Sequence, residues 1–84
     1  MTIIKNQLDS LGERHGYWEL YYFNESLMDK GNYINGARDG YWEGYYSNGN
    51  IMDKGYYFNG DRDGYWEHYN RNGNLEETIF YDRN

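Results

Sequence analysis

The 84-residue sequence contains no cysteine and no proline, and it has little leucine and no valine. The absence of cysteine excludes a disulfide framework and thiolate metal sites, which commonly stabilise very small domains. A chain of this length has room for one domain and buries only a modest share of its surface on folding. A conventional two-layer core would therefore be thin, and stability must come from another source.

Positive charge is also scarce, with 8 Lys and Arg against 14 Asp and Glu, which gives a net charge of −6. Without a basic patch we expect neither direct nucleic-acid binding nor membrane binding, whereas a basic protein is a compatible partner. No apolar run approaches the length of a membrane span, and the first residues lack the apolar core of a signal peptide. We therefore expect a cytoplasmic protein.

Aromatic residues and glycine are plentiful: 12 Tyr, 3 Trp, 3 Phe and 11 Gly. Aromatic residues favour strands, and tyrosine can be half buried while its hydroxyl stays in water. Frequent glycine outside low-complexity runs indicates tight turns. This composition predicts an all-β protein.

The tetrapeptide Gly-Tyr-Trp-Glu begins at Gly16, Gly40 and Gly64, a period of 24 residues. Residues 27–50 and 51–74 are identical at 17 positions. Such a period indicates stacked supersecondary units whose terminal copies have degenerated. We predict a single repeat domain over residues 1–84, whose units are, in approximate bounds, 3–26, 27–50 and 51–74, with a truncated unit at 75–84.

Asn-Gly between two strand-like runs predicts a β-hairpin with a type I′ turn, which needs positive φ at both central residues. Asn48-Gly49 is this pair in the second unit, and the first unit has Glu25 where the glycine is expected. The connections between units, residues 35–40 and 59–64, are predicted to be longer loops bracketed by glycine.

A type I′ turn at this place fixes the register of the hairpin. It sets four pairs of residues opposite each other: Tyr46–Ile51, Tyr45–Met52, Glu43–Lys54 and Trp42–Gly55. The third pair joins opposite charges, and the fourth lets an indole lie across a strand glycine. Both recur one unit earlier, as Glu19–Lys30 and Trp18–Gly31, and a slip of one residue would lose both.

Alternation along the strands divides the side chains between two faces. The face with the tryptophans and most aliphatic residues is predicted to be the core: Trp18, Leu20, Tyr22, Leu27, Tyr33, Trp42, Tyr46, Ile51, Tyr57, Trp66, Leu75 and Ile79, with Gly31, Gly44 and Gly55. The other face carries three Tyr-Glu-Tyr triplets. We name these triplets and a neighbouring methionine the tyrosine strip: Tyr17, Glu19, Tyr21, Tyr41, Glu43, Tyr45, Tyr65, Glu67, Tyr69 and Met52.

The tyrosine strip is the predicted partner-binding surface. Tyrosine and methionine are enriched in interface cores, and exposed apolar strips of this extent usually indicate a partner. The acidic residues beside it, Asp39, Asp61 and Asp63, suit a basic protein. The alternative is a ladder of tyrosines that only stabilises the sheet.

The pattern Asn-Gly-x-x-x-Gly-Tyr-Trp-x-x-Tyr-Tyr-x-Asn-Gly-x, with residues 35–50 as its cleanest copy, resembles the MORN repeat and more closely its bacterial and viral variant. The resemblance covers nearly the whole chain. It implies a single-layer antiparallel meander of tandem β-hairpins, curved or twisted, and a non-enzymatic role. Some stand-alone bacterial variants are regarded as antitoxins, so the resemblance also suggests an antitoxin-like protein.

Catalytic, metal and cofactor sites find little support in the sequence. His68 would face Glu77, but other residues take its position in the other units. Residues 59–64 resemble the start of a calcium-binding loop, yet Asn70 takes the place of the bidentate glutamate and turn chemistry explains the segment. We therefore predict no catalytic residues, no metal and no cofactor.

Three functions remain open at this point. The first is a non-catalytic binding module, such as a small acidic inhibitor that occludes a partner protein. The second is a sponge for a small molecule or nucleotide stacked on tyrosine or tryptophan, which the scarcity of Lys and Arg disfavours. The third is a structural unit that forms homo-oligomers through exposed sheet edges.

Overall fold

The computed structural model describes residues 6–82, which form one open antiparallel sheet. Its strands are β1 (Gln7–Leu8), β2 (Arg14–Tyr21), β3 (Leu27–Ile34), β4 (Ala37–Tyr45), β5 (Ile51–Phe58), β6 (Asp61–Tyr69) and β7 (Leu75–Tyr81). Strand order in the sheet follows chain order, so each strand pairs with its neighbours in sequence. The predicted all-β, single-layer meander is confirmed. Within residues 6–82 there is no helix that could cross a membrane.

Two-residue turns join successive hairpins, where the sequence pattern predicted longer loops. Asn35 and Gly36 have φ of 51° and 81°, and Ile34 pairs with Ala37 directly across them. Positive φ at both central residues defines the type I′ turn, whose twist matches that of the flanking strands. The predicted loop of residues 35–40 is therefore wrong, because β4 begins at Ala37. The copy at residues 59–64 has the same turn, with β6 beginning at Asp61.

The hairpin at Asn48-Gly49 has a three-residue loop instead of the predicted type I′ turn. Tyr46 accepts a hydrogen bond from the Gly49 N–H (2.9 Å) and donates its own N–H to Asn50 (2.8 Å). Gly49 has a φ of 93°. The Asn48 carboxamide oxygen accepts a bond from the Asn50 N–H (2.9 Å), which supports this turn. The first unit forms the same hydrogen bonds with Glu25 at the glycine position, at a φ of 72°.

The longer loop changes the register beside the turn and nowhere else in this hairpin. Tyr45 pairs with Ile51, so the predicted pairs Tyr46–Ile51 and Tyr45–Met52 are wrong. A β-bulge next to Tyr45 absorbs the difference. Beyond it the predicted pairs Glu43–Lys54 and Trp42–Gly55 are confirmed, as are Glu19–Lys30 and Trp18–Gly31 in the first unit.

The predicted core face is confirmed as the packed face, and we name it the tryptophan face. Its buried residues are Tyr33, Trp42 and Trp66, and the two tryptophans are 1% exposed. Edge-to-face contacts join five rings across the sheet, with centroids 5.0–6.1 Å apart: Trp18, Tyr33, Trp42, Tyr57 and Trp66. Pairs in this geometry add about 0.5–1.5 kcal/mol each beyond their buried area. At the far end of the predicted core, Leu75 is exposed.

Each buried indole lies over a glycine of the preceding strand. A Cβ at Gly31 would lie 2.2 Å from the Trp42 indole, and one at Gly55 would lie 2.4 Å from that of Trp66. The expected contact between indole and glycine therefore exists, but Trp42 covers Gly31 and not its ladder partner Gly55. The ladder opens here, because the pairs Lys30–Glu43 and Asn32–Asp39 are two residues apart on β3 and four on β4.

Candidate functional site

Five charged residues and one threonine form a row along the centre of the tyrosine strip and cross six strands. Ladder pairing aligns its residues in the order Glu19, Lys30, Glu43, Lys54, Glu67 and Thr78. Sequence reasoning found the pairs within hairpins but missed those between neighbouring hairpins, because it assigned loops of unknown register there. Both ion pairs join neighbouring hairpins: Lys30 Nζ lies 3.4 Å from Glu43, and Lys54 Nζ lies 3.5 Å from Glu67.

Phenol groups flank the carboxylates of this row. Tyr41 and Tyr45 donate their hydroxyls to the two oxygens of Glu43, at 2.7 and 2.5 Å. Tyr17 and Tyr21 bind the two oxygens of Glu19 in the same way. The triplets therefore form because residues two apart share a strand face, which lets both phenols reach the carboxylate between them.

These contacts shift the pKa values of the central triplet. Partial burial by itself would raise the pKa of Glu43, but the hydroxyls of Tyr45 and Tyr41 and the Lys30 ammonium outweigh it and hold that pKa below its usual range. Burial, followed by the hydrogen bond to Glu43, raises the pKa of both tyrosines. The triplet is thus most stable with an ionised carboxylate and two neutral phenols.

The third triplet departs from the arrangement of the second. Tyr69 donates to Glu67 at 3.0 Å, but within residues 6–82 no hydrogen bond links Tyr65 to that carboxylate. Tyr65 packs instead against Phe80 of β7, with ring centroids 4.8 Å apart. It is 70% exposed, against 41% for Tyr41. The Glu67 side chain is 38% exposed, against 21% for Glu43.

A shallow groove lies between the exposed rings of the last two hairpins, and we name it the Tyr56–Tyr65 groove. Tyr56 packs on Tyr41 at a centroid distance of 5.4 Å, which forms one wall. Tyr65 forms the other wall, the backbone at Gly55 lies in the groove, and the Lys54–Glu67 ion pair is at one end. Tyr56 pairs with Tyr41 across the ladder and was not among the predicted site residues. Met52 was among the predicted site residues, and it is half-buried in the bulge opposite Tyr45.

The tryptophan face carries charges that sequence reasoning missed. The Arg38 guanidinium lies 4.3 Å from the centre of the Trp42 ring and pairs with Asp29 at 3.2 Å. Arg62 repeats this over Trp66, with Asp53 as its partner at 3.4 Å. The signal was present, since each arginine precedes its tryptophan by four residues and alternation puts both on one face. These arginines cover the aromatic core, so their role here is structural.

His68 lies in β6, and residues 59–64 are the turn before β6 and its first four residues. His68 pairs with Glu77 as predicted, and its buried Nε2 has no hydrogen-bond partner among residues 6–82. Asp61 and Asp63 belong to β6, so residues 59–64 do not form a calcium-type loop. Across the residues that the structure describes, no group of three His, Asp or Glu side chains is placed to hold a metal ion.

Comparison with known proteins agrees with this repeating architecture. The family described as MORN repeat variant matches residues 14–35, 38–60 and 62–83, which together make up most of the chain. The matched segments correspond to the hairpins β2–β3, β4–β5 and β6–β7. The chain therefore belongs to the MORN repeat variant family, whose repeats are generally non-enzymatic modules associated with binding. No curated protein and no solved structure matches the chain.

Proposed function

We propose that this protein is a non-catalytic binding module that occludes a basic partner protein with its tyrosine strip, as a small acidic inhibitor of the antitoxin-like kind would. The observation that carries the proposal is the contrast between the faces. Trp42 and Trp66 are almost fully buried on one face, while Tyr41, Tyr56 and Tyr65 remain exposed on the other. Large apolar groups left in solvent by a sheet that already has a packed face are typical of an interaction surface.

Charge supports a basic partner. The row at the centre of the strip has three carboxylates and two ammonium groups, in a chain of net charge −6. Complementary charge mainly speeds association and selects partners, while buried aromatic anchors supply most of the affinity. The exposed tyrosines are suited to that second task, because each has a large apolar ring and a hydroxyl that can form a hydrogen bond.

The experiment is affinity capture from the native host with the wild-type chain and with the double variant Glu43→Lys, Tyr45→Ala. We expect a basic protein to be retained by the wild type and lost with the variant, through charge reversal and loss of an aromatic group. Arg62→Lys on the tryptophan face is the control and should retain the partner. Retention of the same protein by a folded double variant would contradict the proposal, and retention of a small molecule alone would favour the sponge.

The assembly function and the cytoplasmic location stay predictions. Ile79 of β7 pairs with Trp66 in the ladder, as Gly55 pairs with Trp42. Ile79 therefore stands at the position that Gly31 and Gly55 have in the earlier hairpins. An added unit could not place its indole there as Trp42 does on Gly31. End-to-end stacking that repeats the internal contacts is thereby disfavoured, so any homo-oligomer through the β7 edge would need a different junction.

A further inference from the structure

We propose that the Tyr56–Tyr65 groove is a subsite for an arginine side chain, held between two phenol rings with its guanidinium directed at Glu67. The inference deepens the proposed function, on which it rests, by naming the group of the partner that this part of the surface takes. At this groove the third unit differs from the second.

In the second unit the corresponding carboxylate is already satisfied. Glu43 accepts hydroxyls on both oxygens and pairs with Lys30 at 3.4 Å, and its side chain is only 21% exposed. The wall equivalent to Tyr56 is Asn32, because these residues occupy the same position 24 residues apart. A cation bound beside Glu43 would contact one aromatic ring, and the carboxylate could accept few further hydrogen bonds.

The third unit has a second aromatic ring and a carboxylate that accepts fewer hydrogen bonds. Tyr65 packs against Phe80, so Glu67 accepts one hydroxyl, from Tyr69, beside the Lys54 ammonium at 3.5 Å, and the Glu67 side chain is 38% exposed. Tyr56 adds the second ring, braced by Tyr41. Glu67 therefore retains acceptor capacity at the end of a groove with aromatic walls.

Arginine fits this environment better than other groups. Its guanidinium is planar, stacks on aromatic faces, and donates several N–H groups in a fixed fork to a carboxylate. Lysine has no planar group to fill the groove. An anionic ligand such as a nucleotide phosphate would be repelled by the carboxylate of Glu67 and by that of Asp63, which lies across the ladder from Tyr56. Lys54 is the cation that lines the groove.

The test titrates the protein with Nα-acetylarginine amide and follows the Gly55 amide and the Tyr56 and Tyr65 ring protons by NMR. Neutral citrulline amide, which has nearly the same shape, and the lysine amide are the matched probes. We expect saturable shifts at the groove with arginine, affinities at least fivefold weaker with both other probes, and weaker arginine binding at higher salt. Equal affinity for citrulline, or no saturable shift with arginine, would overturn the proposal.

Two variants locate the site. Tyr56→Asn copies the residue that the first hairpin has at this position, so the fold should tolerate it, and Glu67→Gln removes the charge. Each should weaken arginine binding at least fivefold. Phe58→Asn, which changes an exposed aromatic residue of the same strand outside the groove, should leave it unchanged. Equal binding by wild type and Tyr56→Asn would also refute the subsite.

The two proposals fail in different ways. If a basic partner is lost with Glu43→Lys, Tyr45→Ala but arginine amide binds equally to wild type and Tyr56→Asn, the binding module stands and the arginine subsite is wrong. If arginine amide binds in the groove and no partner is captured, the subsite stands and the proposed function is wrong.

Discussion

The two faces of this sheet have similar numbers of aromatic side chains and treat them in opposite ways. On the tryptophan face each of the two buried indoles has a glycine beneath it, a tyrosine at its edge and a guanidinium above it, so that Trp42 is 1% exposed although the sheet has no second layer. On the tyrosine strip the rings lie beside charged groups, and Tyr65 is 70% exposed. One face therefore packs most of its aromatic surface within the fold, and the other leaves large rings in solvent.

The largest expected effect is on the tryptophan face. Trp42→Ala removes a fully buried indole together with its contacts to Gly31 and Tyr33, and should lower the free energy of unfolding by about 3–5 kcal/mol. Against the small stability of a domain of this size, most of the protein would unfold. Thermal denaturation followed by circular dichroism measures this. A melting temperature within a few degrees of the wild type would mean that this face does not stabilise the fold.

Adding a single methyl group on the same face should have the next largest effect. Gly31→Ala places a Cβ 2.2 Å from the Trp42 indole, and the resulting overpacking should cost about 1–3 kcal/mol. Gly44→Ala is the matched control, since its Cβ meets the end of the Asp53 side chain, which can move. Urea denaturation of the two variants should show the larger loss for Gly31→Ala. Equal losses would contradict the close approach between indole and glycine.

A change on the tyrosine strip should cost much less stability. Glu43→Gln keeps the shape of the side chain but removes the charge that Lys30 and the two phenols contact, and surface contacts of this kind are worth about 1 kcal/mol or less. The urea midpoint should therefore fall far less than for Trp42→Ala. A loss as large as that of the tryptophan variant would show that the strip is a structural ladder and would remove the reason for assigning it to a partner.

The pH dependence of stability sharpens the comparison further. The pKa of Glu43 is lowered by folding, so its contribution is present above its ordinary value of 4.5 and is lost as the pH falls through the folded value. The pKa of Tyr41 is raised by folding, so its contribution is present below 10.0 and is lost as the pH rises above it. Urea midpoints between pH 3 and pH 7 should show a steeper acid decline in the wild type than in Glu43→Gln. Parallel profiles would contradict the charged triplet.

The repeat, the hairpins, the two faces and most of the register within hairpins could be predicted from the amino-acid sequence alone. A period of 24 residues and the alternation of side chains are local properties of the chain, so neighbours in sequence are enough to reveal them. Pairs such as Trp42–Gly55 and Glu43–Lys54 followed because they stabilise one register and no other.

The turn types could not be assigned from the dipeptide alone. Asn-Gly occurs both at residues 35–36 and at residues 48–49, and only the former is a type I′ turn. The two turns differ in their hydrogen-bond partners. The strands on either side of Asn35-Gly36 pair up to Ile34 and Ala37. The Asn48 side chain instead accepts a hydrogen bond from the Asn50 N–H and donates one to the Arg71 carbonyl of the neighbouring hairpin, at 3.0 Å. Contacts between units thus select among turns that the same residues allow.

The direction in which a long side chain leans could not be predicted and depends on the packing of neighbouring strands. Trp42 faces Gly55 in the ladder but covers Gly31, and Lys54 faces Glu43 but bonds to Glu67. An inner strand has a neighbour on each side, and ladder pairing does not say toward which of them a side chain leans. The Tyr56–Tyr65 groove also depends on the direction in which a side chain leans. Tyr65 packs against Phe80 of β7 and thereby leaves the Glu67 side chain partly exposed.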